Sequence, residues 1–267
     1  MTLLDRISEK KSKGYIDEIA SGIVGQEIII KAISMSSMAD RVLLKGGIVM
    51  YNITSNARRA TRDLDFDFIH YDISNNSNID LFVDLLNRRS EYNIKRFGEI
   101  TTLHQEDYQG KRVYLEIKDK TYSFRIKLDI GVHTLFAIEQ TSIEFRFNQN
   151  GDTITLFANP VEQIIAEKLY SLAKHGVTST RYKDVFDVYY LINNQPINRR
   201  VLNECITLLI EYGKSNVKDI EDLCERIKDT FDSKLWYQRL LSSDQNWIEI
   251  NNYQELLNKV VDYIYSL

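Results

Sequence analysis

Proline and cysteine are scarce in this chain of 267 residues, at two each, and glycine is held to eleven. So few chain breakers exclude an extended or disordered polypeptide and predict long elements joined by modest loops. Cys205 and Cys224 lack the close pairing of a zinc site or a redox CxxC motif, so buried free thiols are expected. No run of about twenty apolar residues occurs, which removes a helical membrane span. The opening Met1-Thr2-Leu3-Leu4-Asp5-Arg6 starts no apolar stretch of signal-peptide length, so a cytoplasmic protein with no membrane partner is expected. An excess of positive charge is missing too. The formal net charge of -4 argues against a generic polyanion binder, although Arg58, Arg59 and Arg62, or Arg88 and Arg89, could still meet phosphates locally.

What is present is a globular composition, 43% hydrophobic and 27% charged, enough for a substantial core in one large domain or two smaller ones. Ile19, Ile23, Ile30, Ile33 and Met38 recur at loosely helical spacing, and Val42-Leu43-Leu44 reads as a short buried strand closed by Gly46-Gly47. A helical turn or two from Ile48 to Ile53 and a polar, basic loop from Thr54 to Arg62 follow. Asp63-Leu64-Asp65-Phe66-Asp67-Phe68-Ile69 alternates strictly, which on a strand puts three aspartates on one face and Leu64, Phe66 and Phe68 on the other. After a helix from Ile79 to Asn87, the stretch from Ile94 to Phe157 turns to strands. Val113-Leu115-Ile117 and Phe124-Ile126-Leu128-Ile130 alternate with polar residues there, predicting an antiparallel or mixed sheet.

Asn159-Pro160 is a helix-start signal, with Asn159 as N-cap and Pro160 in the first turn. Helical patterns then cover Pro160 to Lys174, Arg181 to Asn193, Asn198 to Tyr212, Asp219 to Thr230 and Tyr253 to Tyr265. The chain is thus expected to divide into residues 1–159, mixed in structure, and residues 160–267, helical. No internal repeat or low-complexity tract interrupts either half.

Carboxylates about 7 Å apart along one strand face repel one another unless something positive lies between them. Aspartate is also a poor strand former. A wet edge strand explains such a motif on its own; so does a site for magnesium or manganese, which take hard oxygen ligands and substrate phosphates. Gly46-Gly47 stands between a strand and a helix, where a triphosphate could approach backbone N–H groups; a plain turn is the alternative. Asp129 is the acid on a strand face shared with Arg125 and Lys127. It could complete a carboxylate set for phosphoryl transfer, or pair with Lys127 or a neighbouring strand.

Lys168 falls inside the apolar arc of Val161, Ile164, Ile165, Leu169 and Leu172, and either snorkels or points its ammonium into a site. Glu167 lies off that arc. Asp184 and Asp187 share a helix face opposite Val185, Val188, Tyr189 and Ile192, with Arg181 and Lys183 nearby. A solvated face is the default there, and a nucleotide-facing or acceptor-facing patch is the alternative.

Taken in order, Leu44-Lys45-Gly46-Gly47, Arg59-Ala60-Thr61-Arg62-Asp63-Leu64-Asp65-Phe66, Glu167-Lys168 and Arg181-Tyr182-Lys183-Asp184-Val185-Phe186-Asp187 resemble the AbiEii/AbiGii-type toxin nucleotidyltransferases of bacterial type IV toxin–antitoxin and abortive-infection systems. The resemblance implies an α+β fold with a polymerase-β-like core, a mixed β-sheet and a helical C-terminal part. It implies magnesium (or manganese), a nucleoside triphosphate and an RNA acceptor, in some members the acceptor end of tRNA. By position it gives Gly46 and Gly47 the phosphate loop, Asp63, Asp65 and Asp129 the metal, and Lys168 the triphosphate. Arg59, Thr61 and Asp187 match further nucleotide-site positions. Ile48 departs from the family, which usually has threonine or serine after the two glycines, so a phosphate-binding hydroxyl is missing. An antitoxin need not touch such a toxin directly. The expected chemistry is nucleotidyl transfer to an RNA end, with the metals and Lys168 stabilising charge and Asp129 helping to deprotonate the attacking hydroxyl. The rivals are a small-molecule or protein acceptor, and a nucleotide-binding module without catalysis.

Overall fold

The computed structural model describes residues 1–105, 108–146 and 153–267, so residues 106, 107 and 147–152 of the expected strand region lie outside the described residues. The chain forms two compact units, Met1–Asn159 and Pro160–Leu267.

In the first unit, α1 (Leu3–Ser12) and α2 (Asp17–Ser34) precede β1 (Val42–Lys45), α3 (Gly46–Thr54), β2 (Leu64–Phe68) and α4 (Asn76–Arg89). Five strands follow: β3 (Asn93–Gln105), β4 (Tyr108–Lys118), β5 (Ser123–Val132), β6 (Thr141–Arg146) and β7 (Thr153–Ala158). They make one seven-stranded sheet in the order β3-β4-β5-β2-β1-β7-β6. The sheet is mixed, because β2 runs parallel to β5 and β1 parallel to β7 while the other neighbours are antiparallel. Alternation decides which face is covered. Val113, Leu115, Ile117, Ile126, Leu128, Leu64 and Phe66 are all buried, and α2 and α4 pack over the sheet.

Helix α1 is held by charge as well as apolar contact. Glu27 of α2, itself buried, takes Arg6 at 3.0 Å and Lys10 at 2.5 Å, both cations also being buried. A capping box between Thr2 and Asp5 starts the helix.

The second unit is helical: α5 (Val161–His175), α6 (Tyr182–Asn194), α7 (Arg199–Tyr212), α8 (Ile220–Asp232), α9 (Lys234–Ser242) and α10 (Tyr253–Tyr265). The expected start at Pro160 moves by one residue, because Pro160 keeps an extended backbone (φ -62°, ψ 158°) and is itself the cap. The expected α+β class, a mixed sheet followed by a helical part, is what the chain adopts. Cys205 and Cys224 are buried free thiols, as composition suggested. No helix among the described residues is long and apolar enough to cross a membrane.

Candidate active site

The parallel pairing of β2 with β5 sets Asp65 directly beside Asp129, and the antiparallel pairing of β2 with β1 sets Asp65 beside Lys45. Asp63 lies two residues before Asp65 and so shares its face. Hence the three acids singled out from sequence meet at one end of the central strands. They are not alike. Arg112 of β4 grips Asp129 with one edge of its guanidinium, Nε donating to Oδ1 at 2.7 Å and Nη2 to Oδ2 at 2.8 Å. Lys127 holds Asp63 at 2.8 Å and stands 3.7 Å from Asp129. Burial pushes the Asp65 carboxyl up to about 6, reinforced by the charges of Asp129 and Asp63 and opposed by Lys45 and Lys127. Of the readings offered for Asp129, the ion pair is present, with Arg112 and Lys127 as its partners, and Asp65 stands beside it in the sheet. Asp67, third of the alternating acids, is buried and paired with Lys45 at 2.5 Å, which marks it as structural.

The two glycines fit this cluster closely. Gly46 opens α3 in the left-handed region, φ +66°, and a Cβ there would stand 2.5 Å from Asp65 Oδ2. A Cβ on Gly47 would meet Thr61 Cγ2 at 2.6 Å. The glycines thus bring the N-terminus of α3 against the strand that carries the acids, and no side chain caps that helix end. Ile48, where the resembled family has a hydroxyl, is buried. Behind the loop, the buried Gln26 of α2 donates to the carbonyls of Thr61 at 2.9 Å and Asp63 at 2.7 Å, fixing the approach to β2. Arg59 closes a 3-10 turn, Ala57–Arg59, and is buried.

Lys168 and Asp187 lie in the second unit, where they meet each other. Lys168 Nζ sits 2.5 Å from Asp184 and 2.7 Å from Asp187. It does not snorkel. Asp187 is wholly buried and also accepts a hydrogen bond from Trp247 Nε1 at 2.9 Å, so the α6 face expected to be solvated is turned inward here. The cause is the half-buried ammonium of Lys168, which draws both carboxylates to one point. Off the apolar arc, Glu167 accepts from Gln163 at 2.9 Å.

Arg112, Gln26 and Trp247 were missed from sequence, as was the role of Lys45, whereas Lys127 was named there as a partner for Asp129. Alternation put Lys127 on the face of Asp129, but the pairing of Arg112 with Asp129 depends on strand register, and Trp247 stands 60 residues from Asp187.

A divalent cation would need oxygen donors converging on one point, and among the described residues no group of three or more His, Cys, Asp or Glu side chains does so. The donor chemistry nevertheless fits. Asp63, Asp65 and Asp129 offer only hard oxygens from adjacent strands, and a cation would take the place that the Lys127 ammonium holds on Asp63 and the Arg112 guanidinium on Asp129.

The fold matches that of a nucleotidyltransferase candidate from H. pylori known from a crystal structure, at 18% identity and a TM-score of 0.51, over 94% of this chain and 96% of that one. A second structure, JHP933 from Helicobacter pylori, aligns at 17% identity and a TM-score of 0.48, over 94% and 93% of the two chains. No curated protein matches. The class of the protein is that of the nucleotidyltransferases. The family model for the nucleotidyl transferase AbiEii toxin of type IV toxin–antitoxin systems matches residues 28–260, and the chain belongs to that family.

Proposed function

We propose that the protein is a magnesium-dependent enzyme (manganese being the alternative ion) that transfers a nucleotide from a nucleoside triphosphate to an RNA end, with tRNA as the acceptor class. The observation that carries this reading is the register that sets Asp65 beside Asp129 with Asp63 on the same face. Asp63, Asp65 and Asp129 would hold the cation, which supplies charge neutralisation for the triphosphate and the departing pyrophosphate. Gly46 and Gly47 leave the first N–H groups of α3 open to phosphate oxygens, where a helix N-terminus favours negative charge. Arg59 and Thr61 support that loop.

Asp129 takes the proton of the attacking hydroxyl, which requires Arg112 to release one carboxylate oxygen. Lys168 and Asp187 are assigned to the triphosphate on the strength of the motif they share with the family; Asp187 acts by holding the Lys168 ammonium. Residues 1–159 form the nucleotidyltransferase core and residues 160–267 a helical domain. The antitoxin implied by the family need not contact the chain, and the cytoplasm, where triphosphates and RNA occur together, is the compartment.

The test is incubation with total bacterial RNA, magnesium and each labelled ribonucleoside triphosphate in turn, beside an Asp63→Ala/Asp65→Ala control. Label in a tRNA-sized band, reduced at least about a hundredfold in the control, is the expected result. Triphosphate binding with no RNA labelled would move the acceptor to a small molecule or protein. Absence of triphosphate binding would leave a non-catalytic module.

A further inference from the structure

Strands β3, β4 and β5 carry α2 and α4 on one side, and their other face is open. Residues directly opposite one another across a ladder share a face, so the open side can be read row by row from the register. Starting at the acidic cluster, the first row is Asp65, Asp129, Arg112 and Thr101. The next is Lys127, Tyr114 and Phe97, and the third is Arg125, Glu116 and Lys95. The last is Ser123, Lys118 and Asn93.

Two features set this face apart from a solvated strand surface. Tyr114 and Phe97 stand directly opposite one another and each is 41% exposed. Single exposed rings are unremarkable, but adjacent ones on an uncovered sheet are a cost that folding alone does not explain. The second feature is charge. With the carboxylate row and its Arg112 set aside, Lys95, Lys118, Arg125 and Lys127 flank the rings against Glu116, Lys127 being paired with Asp63, in a chain whose net charge is -4. The guanidinium of Arg125 lies over the Phe97 ring, 3.4 Å from its centroid, so the cation covers one face of the ring and presents its own flat face outward.

We propose that this face is a docking lane for single-stranded RNA, with bases stacking on Tyr114 and on the Arg125 guanidinium that Phe97 supports, while Lys95 and Lys118 meet the phosphates. Rings interleaved with cations fit an unpaired strand, whose bases expose their flat faces; a duplex buries those faces in its own stack. A protein partner fits less well, because interface cores are depleted in charged residues. From the Ser123 row to Asp129 the lane runs about 20 Å, at about 3.3 Å per residue. Its far end opens on a depression of about 860 Å³ where Lys95, Lys118 and Lys120 stand among Asp5, Glu91 and Asp119, so the positive track ends there. A strand lying along it brings its end to Asp129 and Asp65. This deepens the reading of an RNA acceptor and rests on that reading for the strand's destination.

The test is fluorescence anisotropy of an unstructured, labelled RNA of roughly ten nucleotides, against the full chain in metal-free buffer. Phe97→Ala and Tyr114→Ala should each weaken binding about tenfold, the loss of one stacked base, and Arg125→Ala should reduce the salt dependence as well. Phe97→Leu and Tyr114→Leu, which keep apolar bulk, should weaken it similarly, whereas Leu81→Ala on α4 should change nothing. The same sequence as a duplex should bind less tightly. Variants that bind like wild type, or a duplex that competes equally, would overturn the lane; no RNA binding in any form would do so too and leave the face to a protein partner. Ring-dependent binding of RNA that never accepts label upholds the lane and removes the RNA-acceptor reading. RNA labelled equally well by the ring variants does the reverse.

Discussion

Asp119 ties a hairpin to a helix. In the turn between β4 and β5 its Oδ1 accepts from Thr121 N at 2.7 Å and Tyr122 N at 2.8 Å, while Oδ2 accepts from Leu3 N at 2.7 Å in the first turn of α1. These bonds, the one from Leu3 first, hold the carboxyl down to about 2, below its ordinary 3.8. A carboxyl depressed in the folded state stabilises it above the unfolded pKa and loses that contribution as pH falls through the folded one. Asp119→Asn should therefore cost about 1 kcal/mol at neutral pH, modest because the group is partly exposed. The gap in melting temperature between wild type and variant should hold above roughly pH 4 and close toward pH 2. Circular dichroism melts across that range measure it, and a gap that persists unchanged at pH 2 would mean the charge is not what holds α1. Gly46 shows the same economy at the candidate site, where one residue provides both a left-handed backbone and the space for Asp65.

At the scale of elements, legibility followed the source of each element's stability. Strands β2, β4 and β5 alternate because one face is buried, so their pattern was visible in the sequence, as was the apolar arc of α5. Helix α1 was not, because it docks through Arg6 and Lys10, which a sequence reading assigns to water, on a glutamate in another helix. Helix α9 was missed as well; it is short, capped by Ser233 and anchored by the buried Trp236, whose Nε1 donates to Ser179 O at 3.1 Å. The acids of the candidate site were legible as a motif, but their counter-ions were not, since Arg112 reaches Asp129 only through strand register. On α6, Asp184 and Asp187 were placed correctly on one face, yet that face turns inward because Lys168 is there to receive it. Removing the ammonium takes a cation from the fully buried Asp187, while the half-buried Asp184 keeps Arg181 at 3.6 Å. Lys168→Met should accordingly destabilise the protein by about 3–5 kcal/mol, with part of that recovered on adding Asp187→Asn. Chemical denaturation reads both values. Wild-type stability in the single variant would show that the cluster is solvated, and a stability loss would mean that lost activity in this variant does not by itself prove contact with substrate.

At the scale of the whole molecule, the division between Asn159 and Pro160 falls where the backbone needs no bond across it. Asn159 N–H donates to Leu44 O at 3.2 Å and so completes the sheet, while Pro160 has no N–H to give and only caps α5. A chain ending at Asn159 retains all seven strands, the helices packed on them, the acidic cluster and the aromatic lane. It should melt in one cooperative transition and bind single-stranded RNA within about threefold of the full chain, a difference below 1 kcal/mol. It should transfer no nucleotide, because Lys168 is gone. A broad, non-cooperative melt would establish that the two units fold only together. Retained transfer would instead free the reaction from Lys168 and confine the chemistry to the sheet and its carboxylates.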